Sequence, residues 1–187
     1  MKIQYRAVDV SGAESTPHPA EKWFDFVATV AGAIAAVMLI LTFLFRVVTV
    51  DGHSMVPNLQ HGDRLILTDV TTHYERGEIV VISRADDDPL VKRVIAGPAD
   101  FITIEDDGTV YVNGQRLDEP YLKEKALGEC DLDFPYQVPE SRYFLMGDHR
   151  ETSIDSRSST VGCVAEEQIA GRIALCVWPL TDIRTFQ

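Results

Sequence analysis

The stretch FITIEDDGTVYVNGQRL (residues 101–117) carries the clearest fold signal in the chain. Apolar and polar residues alternate along FITIE and TVYVN, the period of a half-buried strand. Asp107-Gly108 and Asn113-Gly114 interrupt the alternation. Both pairs favour the positive backbone angles of tight hairpin turns. The stretch therefore predicts successive antiparallel hairpins.

Similar runs flank it. RVVTV (46–50), RLILTDV (64–70), EIVVIS (78–83) and LVKRVIA (90–96) are short and β-branched. RYFLMGD (142–148) and GRIALCVWPL (171–180) follow. Gly, Asp and Pro separate these runs, as in an all-β domain. Only Ala165–Ile169 suggests a helical turn. The segment from about 98 to 140 is richer in turn residues and acids, and it reads as a small β insertion lobe. The fold class is therefore mainly β, an antiparallel sheet with that lobe.

The N-terminal part differs. FVATVAGAIAAVMLILTFLF (26–45) has twenty residues without a charge. That is enough to cross about 30 Å of hydrocarbon as a helix. Trp23 and Phe24 suit the interface, and Lys22 and Arg46 bracket the span. A cleaved signal sequence would end on small residues, but RVVTV follows here. We expect a short flexible cytoplasmic tail (1–22), a transmembrane helix (23–46) and an extracytoplasmic domain (47–187). The orientation comes from Lys2, Arg6 and Lys22 before the span, against Arg46 alone close behind it. This makes a single-pass protein of the cell membrane.

Composition excludes other classes. The 187 residues carry 29 acidic and 17 basic side chains, a formal charge of −12. Such a surface repels phosphate backbones, so nucleic acid is not an expected partner. The three cysteines show no metal-ligand spacing, and no metal or cofactor is expected.

Between the anchor and the second strand run lies DGHSMVPNLQHGD (51–63), with Ser54 inside it. A serine hydroxyl needs a neighbouring base before it attacks a carbonyl. His53 is adjacent, but neighbours on an extended chain point apart. His61 could be brought near by a turn and His149 from afar, and a Ser-His-Asp triad would need a carboxylate to orient one of them. The further candidate is Lys92, set among Leu90, Val91, Val94 and Ile95. If that amine is buried, desolvation lowers its pKa by several units from about 10.4, and a neutral amine can take a proton. Lys92 is followed by Arg93, so alternation does not say which of the two points inward. Spacing alone leaves the base open.

Four motifs then make a resemblance. VDGHSMVPNLQHGDRLIL (50–67) resembles the SMxPTL…GD nucleophile motif of type I signal peptidases. VKRVIAGPAD (91–100) is similar to the lysine motif KRVIGLPGD of that family, and YVNGQRLDEPYL (111–122) to its NG…EPYL stretch. FLMGDHRETSIDSR (144–157) resembles GDNRxxSxDSR, and VGCVAEEQIAGRIALCVWPL (161–180) resembles the closing strands. The motifs occur in order across the anchor and nearly all of 47–187.

The resemblance implies a membrane-anchored serine endopeptidase that removes signal peptides after A-x-A ends. Ser54 would be the nucleophile and Lys92, neutral, the general base. Ser153 would hydrogen-bond the amine, and Asp155 and Arg157 would form a structural ion pair. Asp148, with Arg150 in the same loop, would be structural. Val50, Met55, Leu59, Leu90 and Val91 would line shallow pockets, with the substrate added as a strand along Leu90–Lys92. The Ser54 N–H would be one oxyanion donor. The implied partners are signal peptides of preproteins, membrane lipid and, indirectly, the secretion machinery. Ser54 follows Arg46 by eight residues, a reach of at most roughly 30 Å from the bilayer at about 3.5 Å per residue.

Departures from the family pattern are Gly52, Asn58, His149 and the AGPAD turn. Three rivals remain at this point: a plain Ser-His hydrolase, a tethered non-catalytic module of the same fold, and a self-cleaving repressor. The last expects a DNA-binding domain where this chain has its apolar run.

Overall fold

The computed structural model describes residues 19–68, 73–84 and 88–186. The expected tail falls almost wholly outside them, as do Asp69 and Val70 at the end of the RLILTDV run. Helix α1 spans Pro19–Leu44. Among the described residues it is the one helix long and apolar enough to cross a membrane, over Trp23–Thr42, and none of that stretch is buried. Phe45 and Arg46, expected to close the helix, instead open the first strand.

The rest is β structure. Chain order gives β1 (Phe45–Thr49), β2 (Arg64–Thr68), β3 (Ile79–Ile82), β4 (Leu90–Ala96), β5 (Phe101–Ile104) and β6 (Val110–Val112). β7 (Gln115–Arg116), β8 (Tyr136–Gln137), β9 (Arg142–Met146), β10 (Val164–Ala165), β11 (Ile169–Trp178) and β12 (Arg184–Thr185) follow. Among the described residues, eight strands form one sheet in the order β1-β2-β11-β3-β4-β9-β10, with β12 also on β11. The other four form a second sheet, β7-β6-β5-β8, entirely from the segment between β4 and β9. Every pairing is antiparallel.

The second sheet follows the quoted stretch closely. Ile104 pairs with Val110 across the Asp107-Gly108 turn, and Val112 pairs with Gln115 across Asn113-Gly114. Asn113 and Gly114 have φ of 53° and 76°. These are the two left-handed residues that a type I′ hairpin needs. The expected turn near Ala165–Ile169 is a single 3₁₀ turn, Glu166–Gln168.

Apolar burial holds the sheets. Ile102, Ile104, Val110 and Val112 of the second sheet join Ile95, Phe144 and Met146 of the first in one cluster. A separate cluster joins Leu65, Leu67, Ile79, Val81, Val91 and Ile173 with Val50, Met55 and Leu59 from the loop between β1 and β2. Leu59 is fully buried. A side chain of that kind contributes roughly 1.5–3 kcal/mol, enough to pin a loop that has little regular structure of its own.

Candidate active site

The β1–β2 loop is tied at its base and carries Ser54 at its tip. Val50 N–H donates to Asp63 O at 2.8 Å, and Gly62 N–H donates back to Val50 O at 2.9 Å. The Asp63 carboxylate accepts Gln60 N–H and an Arg184 N–H, each at 3.0 Å. Met55 and Leu59 plug into the core on either side of the turn. Ser54 itself stays half-buried.

Lys92 comes from β4. Its backbone pairs with Val80 of β3, and its side chain is only 2% exposed. Lys92 Nζ lies 2.8 Å from Ser54 Oγ, a hydrogen bond spanning 38 residues of chain. Burial lowers the amine from 10.5 to about 8. The Asp155 carboxylate opposes that shift, the Arg157 guanidinium adds to it, and Asp148 opposes it more weakly. Both faces of β4 are covered. Leu90 and Val94 pack into one cluster while Val91 and Ile95 pack into two others. Lys92 and Arg93 are therefore both buried, on opposite faces, and the alternation that failed to choose between them had no choice to make.

The three histidines stand elsewhere. His53 and His61 are exposed and stack on each other at 6.1 Å, and His61 Nδ1 lies 3.2 Å from Asp51 Oδ1. His149 Nδ1 meets Thr152 Oγ1 at 2.8 Å. None of these rings hydrogen-bonds Ser54 Oγ. The His149 backbone does contact the serine, since its N–H donates to Ser54 O at 2.9 Å. The Ser54 N–H has no acceptor among the described residues.

Three buried ion pairs surround this centre. Asp155 Oδ1 and Arg157 Nε are 2.8 Å apart with both side chains fully buried. Asp155 also accepts Gly147 N–H at 2.9 Å, and Arg157 donates to Leu127 O at 2.5 Å and Ser153 O at 3.2 Å. The pair thus joins the loop after β9 to the segment before β8. Arg150 and Glu119 form the second pair at 2.5 Å. Asp148, expected to be structural, anchors the third pair. Arg93 grips it with two bonds, 2.8 and 2.6 Å, while stacking 4.0 Å over the Tyr121 ring. Asn58 Nδ2 donates to both Asp148 Oδ2 and Tyr121 O at 2.8 Å. Arg93, Asn58 and Glu119 were not singled out as site residues from the sequence. The signal that could have exposed Arg93 is two adjacent bases inside an apolar strand.

Ser54 and Lys92 thus meet in one buried, charge-lined place. Residues 23–178 match the family described as Signal peptidase, peptidase S26. The chain belongs to that family. A signal peptidase I of Bacillus licheniformis is 35% identical over 182 residues, 91% of this chain and 97% of that protein. Signal peptidase I S of Bacillus subtilis (strain 168) is 37% identical, covering 81% of this chain and 87% of that one. Signal peptidase IB of Staphylococcus aureus (strain COL) is 32% identical, covering 86% and 92%. A solved signal peptidase I from Enterococcus faecalis V583 is 29% identical and covers 54% of this chain and 96% of that chain, with a TM-score of 0.45. The protein is a serine-type signal peptidase.

Two expectations need correction. The hydroxyl of Ser153 does not hydrogen-bond the Lys92 amine. It is buried and has no partner among the described residues. Its position explains this: Ser153 Oγ stands over the Cα of Gly147, in the space a Cβ there would fill, beside the Ser54 carbonyl. The second concerns the pocket residues. Met55 (1% exposed) and Leu59 (0%) present essentially no surface, because their side chains are what anchors the loop. They are the floor beneath the site rather than its lining. Val50 is nearly as buried, Val91 is at the margin, and Leu90 is half-buried. The cysteines are free; Cys163 and Cys176 are buried and Cys130 half-buried.

Proposed function

We propose that this signal peptidase cleaves secretory preproteins with Ser54 as nucleophile and Lys92 as general base. The observation that carries the reading is the 2.8 Å contact between a buried, pKa-lowered amine and a half-buried hydroxyl. A neutral Lys92 takes the Ser54 proton as Oγ attacks the scissile carbonyl. Charge on the carbonyl oxygen is met by the Ser54 N–H. The Lys92 ammonium then protonates the leaving amine as the C–N bond breaks, which frees the mature chain. Lys92, neutral again, takes a proton from water as that water attacks the acyl-enzyme, and Ser54 recovers its proton on release. The buried Asp155–Arg157 pair sets the charge around the lysine, and Asp148 with Arg93 and Asn58 holds the loop.

The substrate binds as an added strand. β9 pairs with β4 only from Arg93 onward, opposite Met146. On that side Leu90–Lys92 have no strand partner among the described residues, while β3 occupies the other. An extended peptide can use that edge for backbone hydrogen bonds with little demand on sequence. Leu90 and Val91 then offer the small surface that suits alanine-sized side chains, which accounts for cleavage after A-x-A. The chain is anchored by α1 with its N-terminus in the cytoplasm and residues 47–187 outside, where preproteins emerge.

The test is cleavage of a preprotein by the purified chain in detergent. The wild type cuts once, after the A-x-A end. Ser54→Ala and Lys92→Ala each abolish the cut while circular dichroism stays native. A Lys92→Ala variant that cuts at the normal rate overturns the reading.

A further inference from the structure

Ser54 has two flanks, and the strand edge of β4 accounts for one of them. On the other side Ser54 O is bonded to His149, and the chain runs on through Val56 and Pro57. Val56, Pro57 and His149 line a cleft of about 320 Å³, closed on its third side by the segment Lys123–Ala126. The cleft is within the size range of ligand sites, about 300–1,000 Å³. Two links tie it to the nucleophile: Val56 and Pro57 follow Ser54 in the chain, and His149 donates to the Ser54 carbonyl.

We propose that this cleft receives the first few residues of the mature protein, on the far side of the cut. The inference rests on the assignment of Ser54 and Lys92 above. A peptide lying along Leu90–Lys92 is stopped by β9 at Arg93 and must leave that edge at Ser54. The cleft is the space on the opposite flank of the serine. Its character suits the mature side rather than the A-x-A side. Lys123, Lys125, Glu124 and Glu151 mix both signs around apolar Val56 and Pro57. Such a rim does not select alanine-sized side chains, and balanced charge favours no single type of mature sequence. The cleft thus adds affinity through backbone and general packing, and it lets one enzyme serve many mature N-termini.

The test uses the full chain in detergent and two substrates with the same signal half, one with a single residue after the cut and one with six. The wild type turns over the longer substrate with kcat/KM about tenfold higher, the effect of one good contact. Lys123→Trp and Glu151→Trp, at exposed positions on opposite walls, bring the ratio of long to short close to one. A ratio unchanged by both variants, or equal turnover of the two substrates by the wild type, overturns the proposal. Independently, a photoreactive side chain placed two residues past the cut should label 123–126 or 149–151 in Ser54→Ala. Labelling confined to other segments overturns it. If the wild type cuts neither substrate, the assignment of Ser54 and Lys92 has failed, and the cleft falls with it.

Discussion

Replacing Lys92 with methionine should stabilise the protein at neutral pH while destroying its activity. The amine falls from 10.5 to about 8 on folding. A gap of that size, at about 1.4 kcal/mol per pKa unit, costs the folded state about 3 kcal/mol wherever both forms are protonated. Methionine has nearly the same length and no charge to desolvate. It gives up the bond to Ser54, roughly 1 kcal/mol. The net gain at pH 7 is about 2 kcal/mol, which for a chain of this size is about 4–8 °C in Tm. Direction with pH follows from the sign of the shift. Between pH 8 and 10.5 the unfolded chain binds the proton that the folded chain has lost, so wild-type stability rises through that window. The advantage of Lys92→Met therefore shrinks as pH rises, vanishes at about pH 10 and is slightly reversed at 10.5, where only the lost bond to Ser54 remains. The assay is thermal or urea unfolding of both proteins in detergent at pH 7, 9 and 10.5. A variant less stable than wild type at pH 7, or a difference that does not change with pH, refutes a desolvated lysine.

Other perturbations follow from the same contacts. Asp155→Ala leaves the buried Arg157 guanidinium without its carboxylate and should cost about 3–5 kcal/mol, read as a lower denaturant midpoint. Gly147→Ala puts a methyl against Ser153 and the Ser54 carbonyl. Because it displaces the nucleophile, it should lower kcat about a hundredfold while far-ultraviolet circular dichroism stays native. His53→Ala and His61→Ala should keep kcat/KM within about twofold, since neither exposed ring reaches the serine.

What the sequence could reveal depended on whether the interaction was local. The Asn113-Gly114 hairpin was legible because a two-residue turn fixes its own register. β2 and β5 were legible because uneven burial of their two faces leaves a period of two, whereas β3, β4 and β9, buried on both faces, showed as short apolar runs between turn residues. β8, β10 and β12 have two residues each, too few to show any period. The nucleophile loop announced itself through its motif, but the choice of base did not follow from pattern, because β4 is covered on both faces. The Arg93–Asp148 and Arg150–Glu119 pairs join residues 55 and 31 apart, and no spacing rule encodes such a contact. The pocket assignments erred where an apolar residue beside the nucleophile was taken for lining. Met55 and Leu59 hold Ser54 in place from below, a role that sequence pattern does not separate from contact with substrate.

The central claim is that the neutral form of a buried lysine amine activates Ser54. The pH dependence of kcat/KM for preprotein cleavage tests it most directly, because that quantity reports the base of the free enzyme. With Lys92 at about 8, the neutral fraction grows from about one-eleventh at pH 7 to about ten-elevenths at pH 9. Activity should rise roughly tenfold over that interval with its midpoint near 8. A midpoint near 6.5, the ordinary range of histidine, or a rise continuing past 10, the range of a solvated lysine, contradicts the account.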